Sequence, residues 1–470
     1  MHSIYIKNGL LILVIAMLTA CSTATFTDLF NNYNQQMYNV NKAQQQGDFK
    51  QAISLIPPRS QNDGSYNLSL LEKARLEFLA NNNEQSRIDF EKAYALIQQA
   101  QLAAKLELSR GVDNVAAVMS NDNAIRYDIP LYEQSMLHSY QALNYIAQHN
   151  LSGALVEVRR ANLVQEQAIK THENSLTQYQ EKSGNGDKYN QQYPAMDNLI
   201  GNVKNGFQNA YTFYLSALLY EAAGNSNDAY IDYKKALEIY PDNSYLQRDV
   251  WRLANRLSMS GDISLLKARL PQSITLNKAP ELGQVIFIVE NGIVAAQEEI
   301  AINLPIFTSQ NNMRFYGVAL PSYQNHLRTY SPLNINYQGK SYQSEEIVRI
   351  QSLAAKQLKD DLPVIITRQI TRLVAKEKLR QQLARNNGEL GSIFASLYNM
   401  ATEKADTRSW STLPDSIHIL RLNLSPGEHS LMVNINNQSQ KVNVTITPNK
   451  ITLIKLTALG TYNQYQTYDL

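Results

Sequence analysis

Cysteine is almost absent from this chain of 470 residues, with Cys21 the single example. A lone thiol excludes an internal disulfide framework and every cysteine-based zinc motif. The seven histidines, at 2, 138, 149, 172, 326, 418 and 429, never fall three or four apart, so no helical zinc signature exists either. Charge of one sign is lacking too. The 43 basic and 41 acidic side chains nearly cancel, which leaves no field to gather a polynucleotide, and nucleic acid is not an expected partner. No Gly-x-Ser-x-Gly elbow and no phosphate-cradling glycine loop occurs. Ser264-Leu265-Leu266-Lys267 has the Ser-x-x-Lys spacing of penicillin-recognising enzymes. Two fixed residues recur by chance in a chain this long, and the companion Ser-Asp-Asn and Lys-Thr-Gly motifs are missing. Asp360-Asp361 and Glu345-Glu346 read as helix-flanking charges. The sequence therefore offers no catalytic residue, no metal ligand set and no cofactor. Phenylalanine is scarce at 11 against 28 tyrosines, so many large side chains carry a hydroxyl that needs a partner.

What is present begins at the N-terminus. Lys7 precedes an apolar run from Leu10 to Leu18, too short to span a bilayer but suited to the core of a signal peptide. Leu18-Thr19-Ala20-Cys21 resembles the lipobox of bacterial lipoproteins. The resemblance implies a signal peptide over 1–20, removed to leave Cys21 as an acylated N-terminus, and a tether over 21–32. Three acyl chains on one residue would hold the protein on a membrane, since each buried methylene contributes roughly 0.8 kcal/mol. Ser22 rather than aspartate implies, by the same resemblance, sorting to the outer membrane with the protein facing the periplasm. No later run approaches the roughly 20 apolar residues of a transmembrane helix.

Internal repeats dominate the first half, and residues 33–270 read as a helical repeat domain. The clearest unit covers 210–243, with Phe213, Ser216, Ala217, Tyr220, Gly224, Ala229, Tyr233, Ala236 and Pro241. This resembles the tetratricopeptide pattern. Ala217, Ala229 and Ala236 are small where two helices cross, aromatic residues fill the gaps beside them, and Pro241 stops the second helix. Weaker units occupy 33–66 (Ala43, Gly47, Ala52), 67–100 (Ala74, Phe90, Ala93, with Ser86 at the usual alanine position) and 135–168 (Ala142, Tyr145, Ala154, Ala161). A final helix from Ser244 to Met259 would cap the stack. In such repeats, positions two, five, nine and twelve of the first helix line a concave groove. Here they are Tyr211, Tyr214, Leu218 and Glu221 in one unit and Met136, Ser139, Leu143 and Ile146 in the one before. This aromatic and aliphatic groove suits a peptide, a protein helix or the chain's own C-terminal half. Glu157 and Arg160 read as a charged network bridging repeats.

Residues 283–470 change character and read as a mostly β domain with a helical insertion at about 348–404. The fold class expected is thus α+β, a tetratricopeptide-like solenoid followed by sheet. Val285 to Val289 is a continuous apolar run suited to a strand covered on both faces. The runs 417–424, 429–435, 441–446 and 451–456 alternate, joined by Ser425-Pro426-Gly427, Asn436-Asn437 and Thr447-Pro448-Asn449-Lys450, and predict a four-strand meander. The amphipathic, basic segment 365–385 is expected to cover a sheet with Ile366, Ile370, Leu373 and Val374. Asp406, Arg408 and Trp410 form a second candidate site, either a loop pinned by a bidentate ion pair or a ligand site.

Tyr132-Glu133, Leu137-His138-Ser139-Tyr140, the segment 156–162 and the run 406–414 are similar to an uncharacterised family of tetratricopeptide-repeat-containing bacterial outer-membrane lipoproteins. Its members lack an assigned activity and stand beside envelope lipoproteins that activate penicillin-binding proteins. The resemblance implies a non-catalytic, lipid-anchored adaptor that binds another envelope protein and is linked to regulation of cell-wall synthesis. The competing expectation is a peptidoglycan- or glycan-binding module, or an envelope enzyme, with its site in the C-terminal domain.

Overall fold

The computed structural model describes residues 32–110, 125–182, 193–269, 282–307, 313–375 and 404–470. Cys21 and the segment before it lie outside the described residues, as does 376–403, with the last residues of the basic segment 365–385. Among the described residues no helix is long and apolar enough to cross a membrane.

The helical half is a series of antiparallel pairs: α1 (Tyr33–Gln45) with α2 (Phe49–Leu55), α3 (Tyr66–Leu79) with α4 (Asn83–Arg110), α5 (Leu131–Ala147) with α6 (Leu151–Lys182), α7 (Ala210–Ala222) with α8 (Ser226–Ile239), and α9 (Ser244–Arg256) with α10 (Ser260–Arg269). Their turns share one chemistry. Each holds a single residue at positive φ, namely Gly47, Asn81, His149, Gly224 and Ser258. In each, the next N–H donates back to a carbonyl five residues earlier, as in Asp48 to Ala43, Asn82 to Glu77, Asn150 to Tyr145, Asn225 to Tyr220 and Met259 to Ala254 (2.8–3.0 Å). That bond satisfies a carbonyl orphaned at the helix end and reverses the chain. The spacings 81 − 47 and 258 − 224 are both 34, and 149 − 81 is twice that. The repeat period is therefore written in the turns even where glycine is absent. Gly47 is needed for a second reason, because a Cβ there would sit 2.3 Å from the Tyr462 ring.

Between pairs, short polar contacts fix the stacking. Ser86 stands at the alanine position and is fully buried; its hydroxyl donates to the Ala74 carbonyl at 2.8 Å and accepts from Asn144 of α5 at 2.9 Å. Glu157 joins its own hairpin through His138 Nδ1 at 2.7 Å and accepts from Arg160 at 2.7 Å. The Arg160 guanidinium lies 4.7 Å from the Tyr94 ring centroid on the neighbouring pair, so the expected bridge between repeats is present. Asn162 reaches Ser216 and Asp232 of the next pair at 3.1 and 2.8 Å.

The C-terminal half forms three sheets from β1 (Gly283–Asn291), β2 (Glu298–Phe307), β3 (Met313–Ser322), β4 (Asn334–Tyr337), β5 (Lys340–Gln343), β6 (Glu345–Arg349), β7 (Ser416–Leu424), β8 (Gly427–Ile435), β9 (Gln438–Ile446), β10 (Ile451–Leu459) and β11 (Tyr462–Asp469). The orders are β11-β10-β1-β7-β6, β5-β4-β8-β9 and β2-β3. The four-strand meander is corrected here. β7 and β10 flank β1 in the first sheet, β10 running parallel to it, while β8 and β9 pair in the second. Alternation marks a strand but not its neighbour, and β1 is the strand that separates β7 from β10. β11 carries almost no aliphatic residue and gave no strand signal.

As its apolar run requires, β1 is buried along almost its whole length. One face of its sheet meets the helical half. The other packs on the second sheet, whose Ile335, Leu431, Val433, Ile435, Val444 and Ile446 join the same apolar core. A helix over 350–375 (α11) lays Ile366, Ile370, Leu373 and Val374 on β2 and β3, against Ile302, Val318 and Leu320. Arg372 of that helix is buried rather than in water.

Candidate functional site

The groove predicted on the first helices is filled by the chain's own sheet. Tyr211, Tyr214, Leu218, Met136, Ser139, Leu143 and Ile146 are all between 0% and 4% exposed, and the Glu221 side chain is 7% exposed. Of the three occupants the sequence left open, the C-terminal half is the one present. These side chains have no surface left for a second protein, because sheet and helices share one continuous core.

Three polar clusters hold the two halves together. The first centres on Glu290 at the end of β1, which is fully buried. Its carboxylate accepts from Arg75 of α3, from Lys455 of β10 at 2.8 Å and from Tyr140 of α5 at 3.0 Å. Arg75 also lies 4.3 Å over the Tyr140 ring, and Lys455 5.0 Å from that of Phe78. Burial alone would raise the Glu290 carboxyl, but the two cations hold it below its usual range. Burial pushes the Lys455 ammonium down to about 8, against the pull of Glu290.

The second cluster centres on Arg421 of β7. It donates to Asp249 of α9 at 2.7 Å, to Glu221 of α7 at 3.0 Å, to the Tyr233 hydroxyl at 3.1 Å and to Gln284 of β1. Arg252 donates to Glu221 from the other side at 2.8 Å. Despite burial, the two guanidiniums hold the Glu221 carboxyl far below its usual range. Glu221 is thus an acceptor for the sheet rather than a docking residue.

The third is the segment 404–415, which crosses from the α11 side into β7. Two buried carboxylates capture its backbone. Glu72 of α3 accepts from the Ser411 and Thr412 N–H groups at 2.8 and 3.0 Å, and Glu133 of α5 from the Trp410 N–H at 2.9 Å. Tyr127 and Tyr132 also donate to Glu133, each at 3.0 Å. Burial pushes the Glu133 carboxyl up to about 7, and the donors from Trp410, Tyr132 and Tyr127 only partly offset the lost water. Asp406 and Arg408 form a bidentate pair at 2.8 and 2.6 Å, and Arg408 also donates to the Ile125 carbonyl at 2.9 Å. Trp410 is 1% exposed, with its ring 5.8 Å from Phe90 and 6.1 Å from Tyr140. Asp406, Arg408 and Trp410 therefore pin a loop across the helical half. A hollow of about 140 Å³ beside them is lined by Tyr127, Asp128, Tyr132, Asp361, Arg368 and others. It is smaller than the roughly 300 Å³ at which small-molecule sites begin. Among the described residues no group of three or more His, Cys, Asp or Glu is placed to hold a metal ion.

Arg75, Glu72, Glu290, Arg421 and Lys455 were not legible as site residues. A signal did exist: each of the last three is a lone charge inside an apolar strand, as in Ile-Thr-Leu-Ile-Lys-Leu. A charge on a core face is expensive unless paired, so such residues imply partners elsewhere in the chain.

No family model and no curated protein matches the chain. Solved structures similar to it include two crystal structures of MamA. One is 12% identical, covering 49% of this chain and 91% of MamA with a TM-score of 0.28; the other is 11% identical, covering 52% and 97% with a TM-score of 0.27. A third is the TPR2AB domain of yeast Sti1 in its pHSP90 complex, 12% identical over 50% of this chain and 87% of that one, with a TM-score of 0.17. The repeat assignment rests instead on the five matching turns and the helix pairs they join.

Proposed function

We propose that this protein is a non-catalytic scaffold of the bacterial cell envelope, anchored by acyl chains on Cys21 to the outer membrane and facing the periplasm. In this reading it binds a protein partner and is linked to the regulation of cell-wall synthesis. The observation that carries the scaffold reading is the filled groove: helices and sheet form one preassembled body, so recognition falls to its outward surface. The second helices of the pairs offer exposed aliphatic side chains for this, with Val156, Leu163 and Ile231 each between 43% and 53% exposed. Isolated exposed aliphatics are ordinary, so the assignment needs a direct test.

Photo-crosslinking side chains placed at Leu163, Ile231 and, as the buried control, Tyr214 supply it. The expected result in intact cells is a discrete adduct from the outward positions and none from Tyr214. No adduct at any outward position would refute the reading. The anchor is tested separately by Cys21→Ser, which should release the processed chain from the membrane fraction. Retention of that chain on membranes would refute acylation at Cys21.

A further inference from the structure

The alternation along β9 changes chemistry halfway. Cross-strand partners share a sheet face. Ile446, Val444 and Val442 stand opposite Gly427, His429 and Leu431, and the same face continues through Gln440 and Gln438, opposite Val433 and Ile435. The last two positions of that face, on this edge strand, are glutamines, and both are exposed. The facing strand does the same. On β11, Tyr465 and Asn463 stand opposite Leu456 and Ala458 of β10. Lys455 and Thr457 turn to the helices through Glu290, so Leu456 and Ala458 turn to the second sheet. At this end the two edge strands face each other with amides and a phenol, leaving an open gap in place of a core.

The result is a cleft of about 470 Å³ lined by Gln438, Ser439, Gln440, Asn463 and Tyr465. Its size lies within the roughly 300–1,000 Å³ of small-molecule sites. One end is bridged at the surface, with Asn463 Nδ2 donating to Gln438 Oε1 at 2.8 Å and Gln438 Nε2 to the Thr461 carbonyl at 2.9 Å. Asn463 Oδ1 is enclosed with no hydrogen-bond partner. Enclosing such an acceptor costs about 1–3 kcal/mol unless something bonds it. None of the five lining residues is charged. Amides offer a donor and an acceptor in one plane, and a phenol ring adds a flat apolar face beside them. A ligand with many hydroxyls and little charge satisfies that wall, whereas an anion or a cation finds no counter-charge in it.

We propose that the mouth between β9 and β11 is a binding site for a neutral glycan, a function beyond the scaffold reading and independent of it. The probe is a soluble tetramer of β-1,4-linked N-acetylglucosamine, titrated calorimetrically into the full chain in detergent micelles. Saturable binding is expected. It should weaken at least about tenfold, the equivalent of 1.4 kcal/mol, in the doubly substituted Gln440→Ala, Tyr465→Phe protein. An unchanged melting temperature in that protein would show that the loss is local. Three outcomes would overturn the proposal: no saturation at millimolar sugar, binding that the double substitution leaves intact, or displacement of the sugar by an extended neutral peptide that binds the same residues more tightly. Crosslinking from Leu163 is unaffected by this result, so the two readings fail separately.

Discussion

Replacing Glu290 with glutamine removes the one carboxylate that Arg75 and Lys455 share, in a site where all three side chains are at most 1% exposed. Removing one partner of such a buried group costs about 3–5 kcal/mol, because the remaining charge is neither solvated nor paired. Here Arg75 is stranded, Lys455, already lowered to about 8 beside Glu290, is left to shed its proton, and Tyr140 and Thr457 have one amide oxygen between them in place of two. Against a typical stability of roughly 5–15 kcal/mol, the loss is a large fraction. Urea unfolding provides the assay, and the molecule carries its own reporter. The Trp410 indole packs beside Tyr140, so its fluorescence follows the separation of sheet from helices. With a slope of about 3 kcal/mol per molar, Glu290→Gln should lower the midpoint by about 1–1.7 M. The control replaces the whole triad, with Arg75→Met, Glu290→Leu and Lys455→Met together. Apolar replacement of a complete buried ionic group is near neutral, or stabilising by about 1–4 kcal/mol. A midpoint for Glu290→Gln within about 0.3 M of the parent, less than about 1 kcal/mol, would refute the reasoning. Equal damage from the single and triple changes would show that packing, not charge, holds the junction.

Glu133 gives a pH signature. Its carboxyl titrates at about 7 when folded, and near 4.3 in an unfolded chain. Between those values the folded state binds the extra proton, so stability falls as pH rises. The contribution is complete below about pH 4.3 and gone above about pH 7, and amounts to at most roughly 4 kcal/mol. Subtracting the Glu133→Gln unfolding curve from the parent's should isolate this slope; a flat difference between pH 4.5 and 7 would contradict it. The Tyr211 and Tyr214 hydroxyls are enclosed with no hydrogen-bond partner. Tyr211→Phe and Tyr214→Phe should therefore leave the melting temperature unchanged or raise it, each by up to about 1–3 kcal/mol of stability. A clear loss in either would mean that its hydroxyl is bonded.

Much of the helical half was legible because its information is local. Ala217, Ala229 and Ala236 are small for the helix they sit on, and Gly47 and Gly224 mark turns that any reader of propensities finds. Asn81, His149 and Ser258 do the same work at positive φ with less obvious residues, which is why the weaker units were harder to see. The Asp406–Arg408 ion pair was legible, since a contact two residues apart is a local event.

The strand partners were a different kind of question. Alternation along β7 to β10 reports a pleated backbone with one face buried, and that property depends on residues two apart. It holds whichever strand lies alongside. β1 enters between β7 and β10 from more than a hundred residues upstream, with no turn to announce the pairing. The filled groove follows the same rule. The sequence by itself determined most of the helix pairs, their 34-residue period and the positions of the alternating strands, though not β11, because each is set by neighbours along the chain. Only the tertiary structure decided that Glu290 meets Arg75 and Lys455, that Arg421 meets Glu221 and Asp249, and hence that the repeats enclose their own C-terminal half. A buried charge states that it needs a partner, but the partner's identity is fixed only when distant surfaces are brought into contact.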